Sequence, residues 1–288
     1  MSDSEVLDIR DDAVLDKIAN ESVSLSLNAQ KKIFLKSIIK RLKDLESLLM
    51  DTNLEKNQNE IVNLITSFDS YDISNYTIEE SKSTLLHLIV NKPIDTKYNS
   101  IQIDIFNRLL EKECDLNAQD IYGFTVLHYC CNYNLIEIAK LIINHKTFQP
   151  GTINLKTTRQ LKLEKFYFLI GSNPIQICSW LNHFELGELL VKHGANINDK
   201  NESGWSCIHI CARQNYIEFV NFLIENNCNV NDVNDNLKTP LMVAARHGHH
   251  KLARVLLNAN ADITSRNKYG QSPLYVGMFA FFTTIYKI

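Results

Sequence analysis

The sequence predicts an all-α fold, a solenoid of stacked helix–turn–helix units preceded by a helical N-terminal cap. Three observations carry that prediction. The aligned residues Asn173, Ser206, Thr239 and Ser272 recur every 33 residues, and a fixed period of this length is the signature of a stacked-repeat architecture. Each unit holds two short segments with apolar residues at helical spacing, as in Leu241, Ala244 and Ala245 followed by Leu252, Val255, Leu256 and Leu257. A Thr or Ser stands before these first segments as an N-cap, its oxygen placed to accept an orphan backbone N–H, and Pro174, Pro240 and Pro273 take the first helical position. Neither helix could bury its stripe alone, whereas stacked neighbours can.

In chain order, residues 1–27 carry seven acids against two bases and read as a disordered acidic tail. Residues 28–80 read as the cap. Its first helix runs from Asn28 to Met50 on the stripe Ile33, Ile38, Leu42, Leu45 and Leu49, and its second from Asn59 to Phe68. An array needs its end faces covered, which is the role given to this pair. The basic residues Lys31, Lys32, Lys36, Lys40 and Lys43 leave a dimerisation or partner-binding helix as the alternative.

The array fills residues 81–288 with about six units. Thr84 lies 41 residues before Thr125, and Thr125 lies 48 before Asn173, so the first two units carry insertions near 91–101 and 147–171. The first, polar and proline-containing, reads as a surface loop over Asn91–Ser100. The second alternates at Ile153, Leu155, Leu161, Leu163, Phe166 and Phe168, the pattern of paired strands. It is expected to form a finger over residues 152–168 that contacts a partner, and deleting Thr152–Lys162 is expected to spare folding. The last unit is incomplete: after Leu274 the chain leaves no length for a second helix, and a frayed, truncated end is the expectation, with an apolar tail folded back over unit five as the alternative.

Composition narrows the function. The chain has 288 residues, 45% hydrophobic and 22% charged, with a net charge of −3, so no global basic excess favours nucleic acid or an anionic membrane. Seven irregularly spaced cysteines do not make a disulfide framework and point to a reducing compartment, cytoplasmic or nuclear. No apolar leader opens the sequence. Between Lys268 and Lys287 eighteen residues are uncharged, but Pro273 interrupts them and the apolar part falls well short of the roughly 20 residues a membrane span needs. Nine glycines are fewer than half the usual share of about 7%, so other residues must supply left-handed turn positions.

The stretch Thr239–Thr264, with Thr239-Pro240-Leu241 at its start, Gly248-His249 at its turn and an asparagine, alanine and aspartate after the second helix, resembles the ankyrin-repeat family. The resemblance extends over residues 84–282 and implies short β-hairpin fingers between helix pairs. Where the family places a turn glycine between helices, the chain keeps Gly248 but has Asn134, Asn182 and Asn215. After the second helix it keeps Gly194 but has Asn227 and Asn260, with Glu113 at that position in the first unit. Asparagine tolerates left-handed backbone best among non-glycine residues. By the same resemblance His87, His128 and His209 are structural and hydrogen-bonded between units, and His249 belongs to a turn.

No enzyme signature is present: the chain has no G-x-S-x-G, no phosphate-cradling glycine loop and no dinucleotide motif. Cys207, His209 and Cys211 sit two apart, so on a helix they diverge and make no zinc site. Neither a metal nor a cofactor is expected. The family resemblance implies instead a concave groove, formed by hairpin tips and first helices, that binds a partner protein. Mapped onto this chain, its candidate contact residues are Tyr122, Phe124, Tyr129, Tyr133, Trp180, Trp205, Arg213, Lys238, Arg246 and Tyr269, with Ile121, Gln214, Asp235, His247, Lys268 and Gln271 beside them. Tyrosine, tryptophan and arginine dominate interface hot spots. The implied function is that of a non-catalytic, monomeric scaffold or adaptor; the alternative is a regulatory or targeting subunit of a ubiquitin ligase or transcription-factor complex.

Overall fold

The computed structural model describes residues 40–51, 54–68, 76–78, 81–91, 99–158 and 170–278. The expected acidic tail, the first turns of the cap, the tip of the finger and residues 279–288 lie outside them. The described residues form two compact units.

The first unit combines residues up to Thr77 with Thr84–Ile89 and those from 99 to Cys114. Helix α1 covers residues 40–50, α2 Leu54–Thr66, α3 Leu85–Val90 and α4 Asn99–Glu111. Here α2 starts before the expected Asn59. The expected loop over Asn91–Ser100 gives way at Asn99 and Ser100 to the first turn of α4. Leu42, Leu45 and Leu49 present one buried stripe, as their spacing requires, and Ile61, Ile65, Ile105, Phe106 and Leu109 are buried with them. Helix α2 packs on α4, and the Lys112 ammonium donates to the Phe68 carbonyl at 2.6 Å.

The second unit holds Ile78–Ser83, Val90, Asn91 and everything described from Asp115 onward. Its helices alternate as the 33-residue period predicts: α5 Val126–Tyr133, α6 Ile136–Ile143, α7 Pro174–Leu181, α8 Phe184–Lys192, α9 Cys207–Gln214, α10 Ile217–Glu225, α11 Pro240–Arg246, α12 His250–Asn258 and α13 over residues 273–278. First helices stack as α5 on α7, α7 on α9 and α9 on α11, while second helices pair as α6 with α8 and α10 with α12. The architecture is the all-α solenoid expected.

The glycine shortage is resolved at the turns. Asn134, Asn182, Asn215, Asn227 and Asn260 have φ between 56° and 64°, alongside Gly194 at 92° and Gly248 at 70°. Glu113 takes the same left-handed conformation, at φ 60°.

Among the described residues the hairpin fingers form no strands. Each connection is instead a tight turn organised by one side chain. Oδ1 of Asn201 accepts the N–H groups of Ser203 and Trp205, at 3.0 and 2.9 Å. Asp120, Asn234 and Asn267 accept in the same way from the residues two and four places on. Neighbouring tips are tied by single backbone bonds, from Thr158 N–H to the Tyr122 carbonyl, Glu202 to Ile170, Asp235 to Ser203 and Lys268 to Asn236. This close approach leaves no room for a side chain at Gly204, φ 73°, whose added Cβ would lie 2.5 Å from the Asp235 nitrogen.

The second insertion departs from the expected strands at its start. Pro150–Asn154 is a 3₁₀ helix with Thr152 and Ile153 buried. The Thr152 hydroxyl donates to Asn117 at 2.7 Å, and Thr157 exchanges two backbone bonds of 3.0 Å with Gly171 and Ser172. Deleting from Thr152 would therefore remove packed structure, contrary to the expectation that excising Thr152–Lys162 spares folding; residues 159–169 lie outside the described residues. The apolar residue Ile153 marks local core rather than strand alternation.

Candidate protein-binding face

First helices are fixed at their starts by reciprocal caps. In α5 and α9 the N-cap side chain, Thr125 or Ser206, accepts the backbone N–H three residues on, while the imidazole of His128 or His209 accepts the N-cap N–H through Nδ1. Those Nδ1 bonds are 3.0 and 3.4 Å. Accepting through Nδ1 leaves the proton on Nε2, which in His209 donates to the Lys238 carbonyl of the next repeat at 2.9 Å. Burial lowers the His209 pKa to about 4, against the opposing pull of the Lys238 carbonyl and Asp232. In α7 the pair is Asn173 and Gln176, with Gln176 Nε2 donating to Asp199 and Trp205 carbonyls at 2.9 and 2.8 Å. These buried groups are structural and set the register that aims the tips.

The tips and first helices bring five of the candidate residues together. The Arg213 guanidinium, on the last turn of α9, lies 5.7 Å from the ring centre of Trp180 and 5.8 Å from that of Trp205. Trp180 stands in the last turn of α7, and Trp205 is held at its tip by Asn201 and packs edge-on against His209 at 5.9 Å. Beside this stack, Trp205, Arg213, Lys238, Val243, Arg246 and His247 line a groove of about 280 Å³. Asn234 places Lys238 as Asn201 places Trp205.

The groove is cationic. Burial, then the neighbouring Arg246 and Arg213 charges, holds the Lys238 ammonium below its ordinary value. Burial and the adjacent His249, Arg213, Arg246 and Lys238 hold His247 below its own. No carboxylate lines the groove among the described residues.

The remaining candidates lie elsewhere. Phe124 is buried, 4% exposed, against His128 and Tyr129. The Tyr129 hydroxyl donates to Asp120 at 2.7 Å, and burial with that carboxylate raises its pKa. Tyr122 is half-buried at the same tip, and Tyr133 donates to Asn91 at 3.1 Å. Tyr269, at the tip of repeat six, is 76% exposed.

Val243 borders the groove from below but is 3% exposed, the core valine that its place on a first helix implies. A second groove was not legible in the sequence. On the second helices Phe184, Ile217 and Phe222 sit among Glu188, Glu218 and Glu225 around about 460 Å³. Its signal was present in the carboxylates of α8 and α10, which the apolar stripe overshadowed.

All seven cysteines are buried thiols. Burial pushes Cys207 and Cys228 up to about 12 and raises Cys130, Cys131 and Cys211, which leaves little nucleophilic thiolate. Among the described residues no group of three or more His, Cys, Asp or Glu could hold a metal ion, and no helix is long and apolar enough to cross a membrane.

Comparison with known proteins bears on the same repeats. The sequence profile for ankyrin repeats, in three copies, matches residues 37–154, 94–201 and 175–267. The chain is also 33% identical over 90 residues to ankyrin repeat protein L371 of Acanthamoeba polyphaga mimivirus. That stretch is 31% of this chain and 10% of the viral protein's length, so the chain spans only a small part of that relative.

Proposed function

This chain belongs to the ankyrin-repeat family, whose arrays are generally protein-interaction modules, and from that premise we propose that it is a non-catalytic scaffold or adaptor working in the cytoplasm or nucleus. Its partner contacts the face made by hairpin tips and first helices, with Trp180, Trp205, Arg213, Lys238 and Arg246 as the central set and Tyr122, Tyr133 and Tyr269 toward the ends. Phe124, being buried, contributes packing to its tip instead. Residues 28–80 serve as the cap of the array, the role that the burial of Leu42, Leu45 and Leu49 supports.

The observation that carries the reading is the Trp180–Arg213–Trp205 stack. Large aromatic and guanidinium groups gathered half-exposed around one groove are the composition of an interface hot spot, and the fold does not need them there for its core. The buried, high-pKa thiols fit a reducing compartment. The test is affinity capture with the full chain and its Trp205→Ala variant, followed by titration of any captured protein against both. A loss of about 2 kcal/mol in affinity, roughly 30-fold, is expected, with at most about 1 kcal/mol of stability lost with the His209 edge contact. A variant that unfolds, or binds its partner unchanged, would sink the reading.

A further inference from the structure

We propose that the groove between repeats four and five takes an acidic segment of the partner protein, a stretch of peptide presenting two or more carboxylates beside an apolar side chain. This rests on the reading of that face as the binding face and adds the chemistry of what it binds.

The argument starts from position. Trp205 and Lys238 each sit four residues beyond the tip asparagine that organises their turn. Arg213 and Arg246 stand in the last turns of consecutive first helices, α9 and α11. The stacking of α9 on α11 carries both arginines, the lysine and His247 to one groove. The charges lining it are of one sign: after burial, Arg246 and Arg213 lower Lys238, and all three lower His247.

Crowding cations around a small groove is unfavourable in the unbound protein, and an incoming anion relieves it. Guanidinium groups pair with carboxylates through two parallel N–H donors. The floor is different in kind. The face of Trp205 offers apolar surface, which suits a peptide side chain and not a bare ion. The chain as a whole is slightly acidic, net −3, so the positive groove is a local feature and not a share of a global excess.

The opposite groove serves as an internal control, since its rim is Glu188, Glu218 and Glu225. A partner chosen by shape alone would have no reason to prefer one sign of charge at the first groove.

The experiment is selection of a displayed library of random peptides, about twelve residues long, on the full chain. Titration of the selected peptides follows, against wild type, the Lys238→Glu/Arg246→Glu double variant, Trp205→Ala and the outer-face control Glu218→Lys. Selected peptides are expected to be enriched in Asp and Glu, to weaken by about tenfold or more in the double variant, and to bind the Glu218→Lys control as they bind wild type. If circular dichroism shows that the double variant does not fold, Lys238→Gln/Arg246→Gln replaces it with the same direction expected.

Selection of neutral or basic peptides whose binding is lost with Trp205→Ala would overturn the acidic partner and leave the binding face standing. Peptides that no groove substitution weakens would overturn both. A single-stranded oligonucleotide that binds wild type more tightly than every selected peptide, and loses that binding in the double variant, would overturn the proposal in favour of nucleic acid.

Discussion

His209 and Gln176 occupy equivalent places in successive repeats and close the same cap with different chemistry. Both accept the N-cap N–H and both donate across to the next repeat, but only the imidazole can take a second proton. With its folded pKa lowered to about 4 from the ordinary 6.5, His209 binds fewer protons folded than unfolded between those values. Its contribution is therefore complete above pH 6.5 and is lost as pH falls toward 4. Denaturant titrations across that window should show His209→Gln losing less stability than wild type, by on the order of 2 kcal/mol; equal slopes would mean the ring is not held neutral. Leu237 is a second single-residue case. It sits where other tips have glycine, at φ 54° and 45% exposed, and left-handed backbone costs a side-chain-bearing residue about 1–2 kcal/mol. Leu237→Gly gives part of that back as lost unfolded-state order, so the variant should gain about 1 kcal/mol by thermal melting, and a loss would show that the leucine packs usefully.

At the scale of elements, much was legible because it is set locally. The period, the N-caps and the asparagines at φ 56–64° follow from residue type and spacing alone, which is why scarce glycine misled nothing. The finger was harder. Ile153 alternates with Leu155 as a strand residue would, yet a 3₁₀ turn begins at Pro150, and Thr152 is claimed by Asn117, thirty-five positions away. No local pattern announces such a partner. Helix packing supplies another case that sequence propensity would misjudge. Gly187 lies inside α8, where Gly→Ala normally gains about 1 kcal/mol. Here an added Cβ would meet Phe219 at 2.6 Å, and that ring is buried and held edge-on by Phe184 at 5.5 Å. Overpacking costs typically 1–3 kcal/mol, so Gly187→Ala should lower stability by about 1 kcal/mol in urea titration; a gain would mean the ring moves aside freely.

At the scale of the whole array, the near-neutral total charge conceals two grooves of opposite sign. In repeats four and five the tips and first helices gather Arg213, Lys238 and Arg246, while the second helices of repeats three and four gather Glu188, Glu218 and Glu225. Each of the cations was a candidate from sequence, but their convergence with Trp180 and Trp205 was not readable there. It depends on the register of three stacked repeats, fixed by buried bonds such as that from His209 to the Lys238 carbonyl. Phe124 shows the converse: its place in the pattern marks it as surface, and its 4% exposure puts it inside. The most direct test of the central claim, that the partner seats on the tips and first helices, is site-specific photocrosslinking. A benzophenone amino acid is placed at position 246 in one sample of the full chain and at position 218 in another, each is irradiated in cell extract, and adducts are identified by mass. The account predicts a protein adduct from position 246 that vanishes with Trp205→Ala, and none of that identity from position 218. The same adduct arising from position 218 and not from position 246 would contradict it.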